Sequence, residues 1–146
     1  MRASEVVPAG RWEPEDEIDS VLIDHDMRHR RRILLTTQGG SSVLLDLARA
    51  TRLRHGDGLV VEDGDIIRVE AQPESLLEIR ADPTTLTRIA WHLGNRHLEV
   101  QLAPTALRIR TDPIIARMVQ GLGGTIAPIE AAFDPEPGAY EAERHV

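Results

Sequence analysis

Two Asp-Pro pairs constrain this chain more than any other feature. Asp82-Pro83 and Asp112-Pro113 each stand directly before a stretch of helical periodicity. An aspartate just outside a helix can accept hydrogen bonds from the free N–H groups of the first turn. Proline loses little at the next position, where its missing N–H would have no helical partner anyway. After the first pair, Leu86, Ile89, Ala90 and Leu93 fall at i, i+3, i+4 and i+7. After the second, Ile115, Met118, Val119 and Leu122 repeat that spacing. Glycine follows each stripe, Gly94 after the first and Gly123-Gly124 after the second. Gly94 is expected to end the first helix in the left-handed region, where a residue without a Cβ has no clash.

Short alternating segments surround these helices. Leu77 and Ile79 precede the first; Val100 with Leu102, then Leu107 with Ile109, lie between the two; residues 126–129 follow the second. The order β-α-β-β-α-β is the ferredoxin-like, split βαβ pattern. The preceding residues read differently. Val21-Leu22-Ile23, Ile33-Leu34-Leu35, Val43-Leu44-Leu45-Asp46-Leu47, Leu59-Val60-Val61 and Ile66-Ile67-Arg68-Val69 are short apolar runs with turn residues between them. Asp63-Gly64 between two β-branched runs is a hairpin signal. The expected fold class is therefore α+β. A small all-β lobe, sandwich-like or barrel-like, covers residues 1–73, and a ferredoxin-like lobe covers residues 74–146. Residues 134–146 carry two Pro, a Gly and four acids, and read as a mobile tail on that second lobe. Lobes of roughly 60–70 residues have small cores, which oligomerisation commonly supports.

Composition removes several function classes. The chain has no cysteine, so any transition metal must be held by imidazole, carboxylate or backbone oxygen. A net charge of −7 argues against an extended nucleic-acid footprint. Aromatic residues make up only 3%, so the core must be aliphatic and the stacking platform of an RNA-binding sheet is missing. No signal-peptide run or membrane-length apolar stretch is present, and the expected location is the cytoplasm.

Six histidines remain as candidate ligands: His25, His29, His55, His92, His97 and His145. Two helical residues that share an ion should lie three or four apart. His92 and His97 are five apart and diverge by about 140° at helical pitch. No HxH or HExxH spacing occurs. An intrachain chelate is not expected, and no general base stands beside one, so a hydrolytic metalloenzyme is disfavoured and a non-enzymatic role expected. An interchain site is open, because a residue near a twofold axis meets its own copy and two imidazoles suit nickel, zinc or copper. Trp91 lies about 150° from the centre of its apolar stripe, so it should face outward, as interface residues do. Blander readings stand beside each of these. A lone surface His is most often just polar surface, His92 reads as a helix-flank residue, and His145 by itself is tail composition. His25 and His29, beside Arg28, Arg30, Arg31 and Arg32, belong either to a solvated turn, which is favoured, or to a contact for an acidic partner. His55 reads as turn surface.

The run Ala90-Trp91-His92-Leu93-Gly94-Asn95-Arg96-His97 resembles the signature of the urease accessory protein E (UreE) family. Residues 24–32, Leu44-Leu45-Asp46-Leu47, Gly56-Asp57-Gly58-Leu59, Glu62-Asp63-Gly64, Phe133-Asp134-Pro135 and Gly138-Ala139-Tyr140 resemble it too, in order. The resemblance implies an N-terminal β lobe for protein partners and a ferredoxin-like lobe that forms a homodimer. It also implies that His97, with its dimer mate, binds nickel as transported cargo, with zinc or copper as other possible ions. The nickel would pass to the urease activation complex, which comprises a GTPase accessory protein and urease apoprotein. Two features depart from the family pattern. Pro113 stands where many members carry a His, and the C-terminus, Glu143-Arg144-His145-Val146, is not His-rich. His145 is then the first auxiliary ligand to consider, and His92 the second. The rival reading is a protein-interaction module of an assembly complex whose metal binding is incidental.

Overall fold

The structure, a computed structural model, describes residues 1–137. Its fold is α+β, and the chain divides into two compact units, Met1–Gln72 and a second beginning at Pro73. No helix among the described residues is long and apolar enough to cross a membrane.

The first unit is one curled six-stranded sheet. Its strands are β1 (Arg2–Val7), β2 (Glu17–Ile23), β3 (His29–Thr36), β4 (Ser42–Arg52), β5 (Gly58–Val61) and β6 (Ile66–Ala71). Their order across the sheet is β2-β6-β5-β1-β4-β3, with β1/β4 and β2/β6 parallel and the other pairs antiparallel. Alternation decides the inner face. Val43, Leu45 and Leu47 of β4 are buried, while Leu44 and Asp46 between them are half-buried. Val21, Leu59, Ile67 and Val69 complete an aliphatic core against them. The curl brings the turn after β3 back to β2. The Gln38 N–H donates to the Ser20 carbonyl at 2.7 Å, and the Gly39 N–H donates to Asp19 Oδ1 at 3.1 Å. A Cβ at residue 39 would lie 2.6 Å from Asp19 Oδ2, so a larger residue there would have to displace the Asp19 carboxylate. The Asp19 carboxyl is held below its ordinary pKa, first by the Thr37 hydroxyl and next by the Ser20 N–H.

Two features of this unit were not read from the sequence. The first is β1, which sits between β4 and β5 although its only fully buried side chain is Ala3. The second is the fate of residues 24–32. They do not form one solvated turn. His25 and Arg28 are only 3% and 1% exposed, and a short 3-10 turn at Asp26–Arg28 carries the chain inward. Arg28 is held by its backbone as well, its carbonyl accepting from Leu53 N–H at 2.6 Å. Asp26 is exposed between His25 and Arg28, and from His29 to Arg32 the stretch is exposed throughout, on β3.

The second unit consists of β7 (Pro73–Arg80), α1 (Pro83–Asn95), β8 (Gln101–Ala103), β9 (Ala106–Arg110), α2 (Pro113–Gly121) and β10 (Thr125–Ala132). The sheet order β10-β7-β9-β8, antiparallel throughout, is the ferredoxin-like arrangement. Both anticipated caps form. Asp82 Oδ1 accepts from Thr85 N–H at 3.0 Å, and Asp112 Oδ1 accepts from the N–H groups of Ile114 and Ile115 at 2.9 and 3.2 Å. Ile89 and Leu93 of the first stripe and Ile115 and Val119 of the second are buried against Leu77, Ile79, Leu107 and Ile109. Pro128 lies in β10, an edge strand, where a missing N–H can be tolerated.

After β10 the chain crosses to the opposite edge of this sheet. Phe133 is fully buried with the Arg110 guanidinium 5.4 Å from its ring centroid. The Asp134 N–H donates to Gln101 Oε1 at 3.0 Å, and the Glu136 N–H donates to the Val100 carbonyl at 2.8 Å. Residues 134–137, where the tail was expected to begin, are thus tied to the lobe. The rest of that tail, including His145, lies outside the described residues.

Candidate metal centre

His97 owes its place to the way α1 stops. The helix does not end at Gly94; it runs through Gly94 to Asn95, with Arg96 as the capping residue. The His97 N–H then donates to the Gly94 carbonyl at 3.0 Å and the Leu98 N–H to the Leu93 carbonyl at 3.2 Å. This bond pair is a Schellman motif, and it needs a left-handed residue between cap and exit. His97 fills that position with φ 58°, as the one non-glycine residue at positive φ among the described residues. The apolar contact that usually accompanies the motif is present too: Leu93 is buried, and Leu98 packs on the same core. The Leu93/Leu98 spacing is a local signal for this turn, in competition with the stop that Gly94 offers.

The left-handed turn leaves the His97 side chain exposed. It lines a cleft of 260 Å³ together with Leu98, Glu99, Arg110, Asp112 and Phe133. The cleft therefore gathers one imidazole, the capping carboxylate of α2 and the residue that starts the crossing segment. Asp112 spends Oδ1 on the helix N-terminus.

The other histidines are placed differently. His92 is half-buried in the last turn of α1, with its ring edge-on to Trp91 at a centroid distance of 5.0 Å and an interplanar angle of 88°. Trp91 is 63% exposed, facing outward as its helical position requires. His92 precedes the helix cap and His97 follows it, so the chain turns between them. His25 is buried beside Arg52, whose Nη1 lies 3.2 Å from Nδ1. His55 is exposed, and its Nδ1 accepts from the Ala71 N–H at 3.1 Å. Among the described residues no group of three or more His, Asp or Glu side chains could hold a metal ion.

Comparison with known proteins bears on both units. The family model described as "UreE urease accessory protein, N-terminal domain" matches residues 3–72, and the corresponding C-terminal domain model matches residues 74–146. A urease accessory protein UreE from Bradyrhizobium sp. strain BTAi1 is 54% identical, over 99% of this chain and 70% of its own length. The relative of the same name from Beijerinckia indica is 50% identical, over 96% of this chain and 81% of its own length. The one from Agrobacterium fabrum is 46% identical, over 97% and 88%. The chain belongs to the UreE urease accessory protein family. The two UreE domain models meet where the fold itself divides, between Gln72 and Pro73. His97, its Schellman turn and the cleft all lie within the UreE C-terminal domain.

Proposed function

We propose that this chain is a urease accessory metallochaperone. It binds nickel as cargo at the interface of a homodimer, through His97 of each subunit, and delivers it to the urease activation complex of GTPase accessory protein and urease apoprotein. In this reading the first unit meets protein partners, and the second dimerises and carries metal. It rests on membership of the UreE family and on one observation in particular. An exposed imidazole occupies a backbone position that favours glycine. Histidine tolerates the left-handed region better than a branched residue, yet it still costs roughly 1 kcal/mol there. No packing gain offsets that cost at an exposed site. A side chain kept under these terms is best explained by what it binds.

One imidazole per subunit makes a weak ligand set, and two from a twofold pair make a usable one. The outward Trp91, one turn before the cap, supports a paired surface on the same stretch of chain. Water would complete the coordination, leaving an open site from which a partner's ligand can take the ion. Zinc and copper suit the same donors, so preference for nickel would come from supply and docking rather than from affinity. His145 is the proposed auxiliary ligand. Glu136 is bonded to Val100, three positions from His97. The eight residues from Gly138 to His145 span at most about 27 Å when extended, enough to return to the cleft. His92 is a weaker auxiliary candidate, because its ring already packs on Trp91.

The test is nickel titration by calorimetry alongside size-exclusion mass. The wild-type chain should bind one ion per dimer. His97→Ala should lose that site while remaining dimeric and folded. Unchanged stoichiometry and affinity in the variant would remove His97 from the site. Because imidazole must be neutral to coordinate, affinity should fall on acidification.

A further inference from the structure

We propose that the outer edge of β3 receives an extended acidic segment of a partner protein as an added strand. This rests on the reading of the first unit as the partner-binding lobe and gives that contact its chemistry.

β3 is a terminal strand of the six-stranded sheet, and among the described residues its pairing partner is β4 alone. An edge strand leaves backbone N–H and C=O groups available to an incoming chain. The side chains on this edge are unusual for a molecule of net charge −7. His29, Arg30, Arg31 and Arg32 are consecutive and exposed, and Arg49 is exposed on the neighbouring β4. Between Arg30 and Arg32 the register shifts, so the part of β4 that carries Arg49 is not matched residue for residue with β3. Among the described residues none of Arg30, Arg31, Arg32 and Arg49 pairs with a carboxylate. Arg31 donates only to the Leu47 carbonyl, at 3.4 Å, and Arg30 reaches only the Met27 sulfur, at 3.7 Å. The nearest carboxylate across the strand pair, Asp46 opposite Arg32, is already bound to Arg2 at 2.8 Å.

The alternation carries the argument further. Arg32 and Leu34 lie opposite Asp46 and Leu44, on the face away from the core; Arg30, exposed beyond the register shift, stands at the next alternate position along β3. Leu34 is 68% exposed. Charge on an edge can simply guard it against self-pairing. A strand built only for that would not present an exposed leucine in the same row. Two guanidinium groups and a leucine at alternate positions instead match a strand bearing two acids and one apolar residue at alternate positions. Backbone bonds would supply affinity and the alternate side chains specificity. The row contains no aromatic residue on which a base could stack, which disfavours a single-stranded nucleic acid.

The experiment is fluorescence anisotropy with the full chain and a labelled synthetic peptide in which threonine alternates with one leucine and two glutamates. Binding should weaken at least about ten-fold in Arg30→Glu/Arg32→Glu, and less than about two-fold in Arg11→Glu/Arg117→Glu, which makes the same charge change elsewhere. Amide shifts on binding should centre on residues 30–34. Equal losses in the two variants, no binding by the wild type, or tighter binding of an oligonucleotide of equal charge would each overturn the proposal. Nickel stoichiometry measured on Arg30→Glu/Arg32→Glu should stay at the wild-type value, so that failure here is distinguishable from failure of the metal site.

Discussion

The C-terminal ends of α1 and α2 are built to one plan and filled with different residues. At the end of α2 the Gly124 N–H donates to the Val119 carbonyl and the Gly123 N–H to the Gln120 carbonyl, both at 3.0 Å, with Gly123 at φ 102°. The bond pattern matches that of Leu98 and His97 at the end of α1. The α2 turn is closed by glycine and packed tightly: a Cβ on Gly124 would lie 2.8 Å from both Ile89 Cδ1 and Val119 Cγ1. The α1 turn opens outward and carries an imidazole. At equivalent positions Gly123 and His97 are both exposed, while Gly124 and Leu98 both face the core, so the two exits differ in the side chain that the left-handed residue carries. Where the same backbone device tolerates a costly residue, chemistry rather than folding is the better explanation.

The largest effect separating the two ends should appear in metal binding. His97→Ala should weaken nickel by about a hundred-fold or more in calorimetry, whereas Gly123→Ala should leave affinity within a few-fold. A similar loss in both variants would mean that the fold of this lobe, and not the imidazole, governs the site. Next in size is Gly124→Ala. Forcing a methyl group into the contact with Ile89 and Val119 should cost about 1–3 kcal/mol in urea unfolding. A neutral result would show that the α2 turn is looser than its geometry indicates. Smaller and opposite in sign, His97→Gly should stabilise the chain by up to about 1 kcal/mol while removing the nickel site. If His97→Gly destabilised it instead, the imidazole would have a structural role after all.

The smallest effect concerns the other end of α1. The Asp82 carboxyl is held below its ordinary value of 3.8, first by the Thr85 N–H and then by the Thr85 hydroxyl. A depressed folded-state pKa contributes stability above the unfolded value, and that stability is lost as pH falls below 3.8 through the folded value. Amide exchange at Thr85 should therefore accelerate relative to the core over that acidic range. In Asp82→Asn that extra acceleration should disappear.

Much of the second unit was legible in the chain because its signals are local. A capping aspartate, a proline and an apolar stripe act within a dozen residues, and Asp82, Asp112, Ile89, Leu93, Ile115 and Val119 all behave as their spacing requires. The first unit was less legible. Arg2-Ala3-Ser4-Glu5-Val6-Val7 carries little apolar pattern, and it becomes a strand because β4 and β5 flank it. Residues 24–32 are polar apart from Met27, yet Arg28 goes inside while Arg30, Arg31 and Arg32 stay out. For the candidate site, His97 was identifiable by resemblance, while its left-handed backbone had only the Leu93/Leu98 spacing as a local signal, against the more obvious stop offered by Gly94.

By itself the sequence determined the class of the fold, the two capped helices, the restriction of any metal site to imidazole and oxygen ligands, and the membership in a family. These follow from periodicity, composition and motif, which need no partner from distant chain. Tertiary structure alone decided the central position of β1, the burial of Arg28, and the crossing of residues 133–136 to the far edge of the second sheet. Each of those depends on which remote backbone group is available to bond and which remote side chain has space to pack, and no local pattern encodes either.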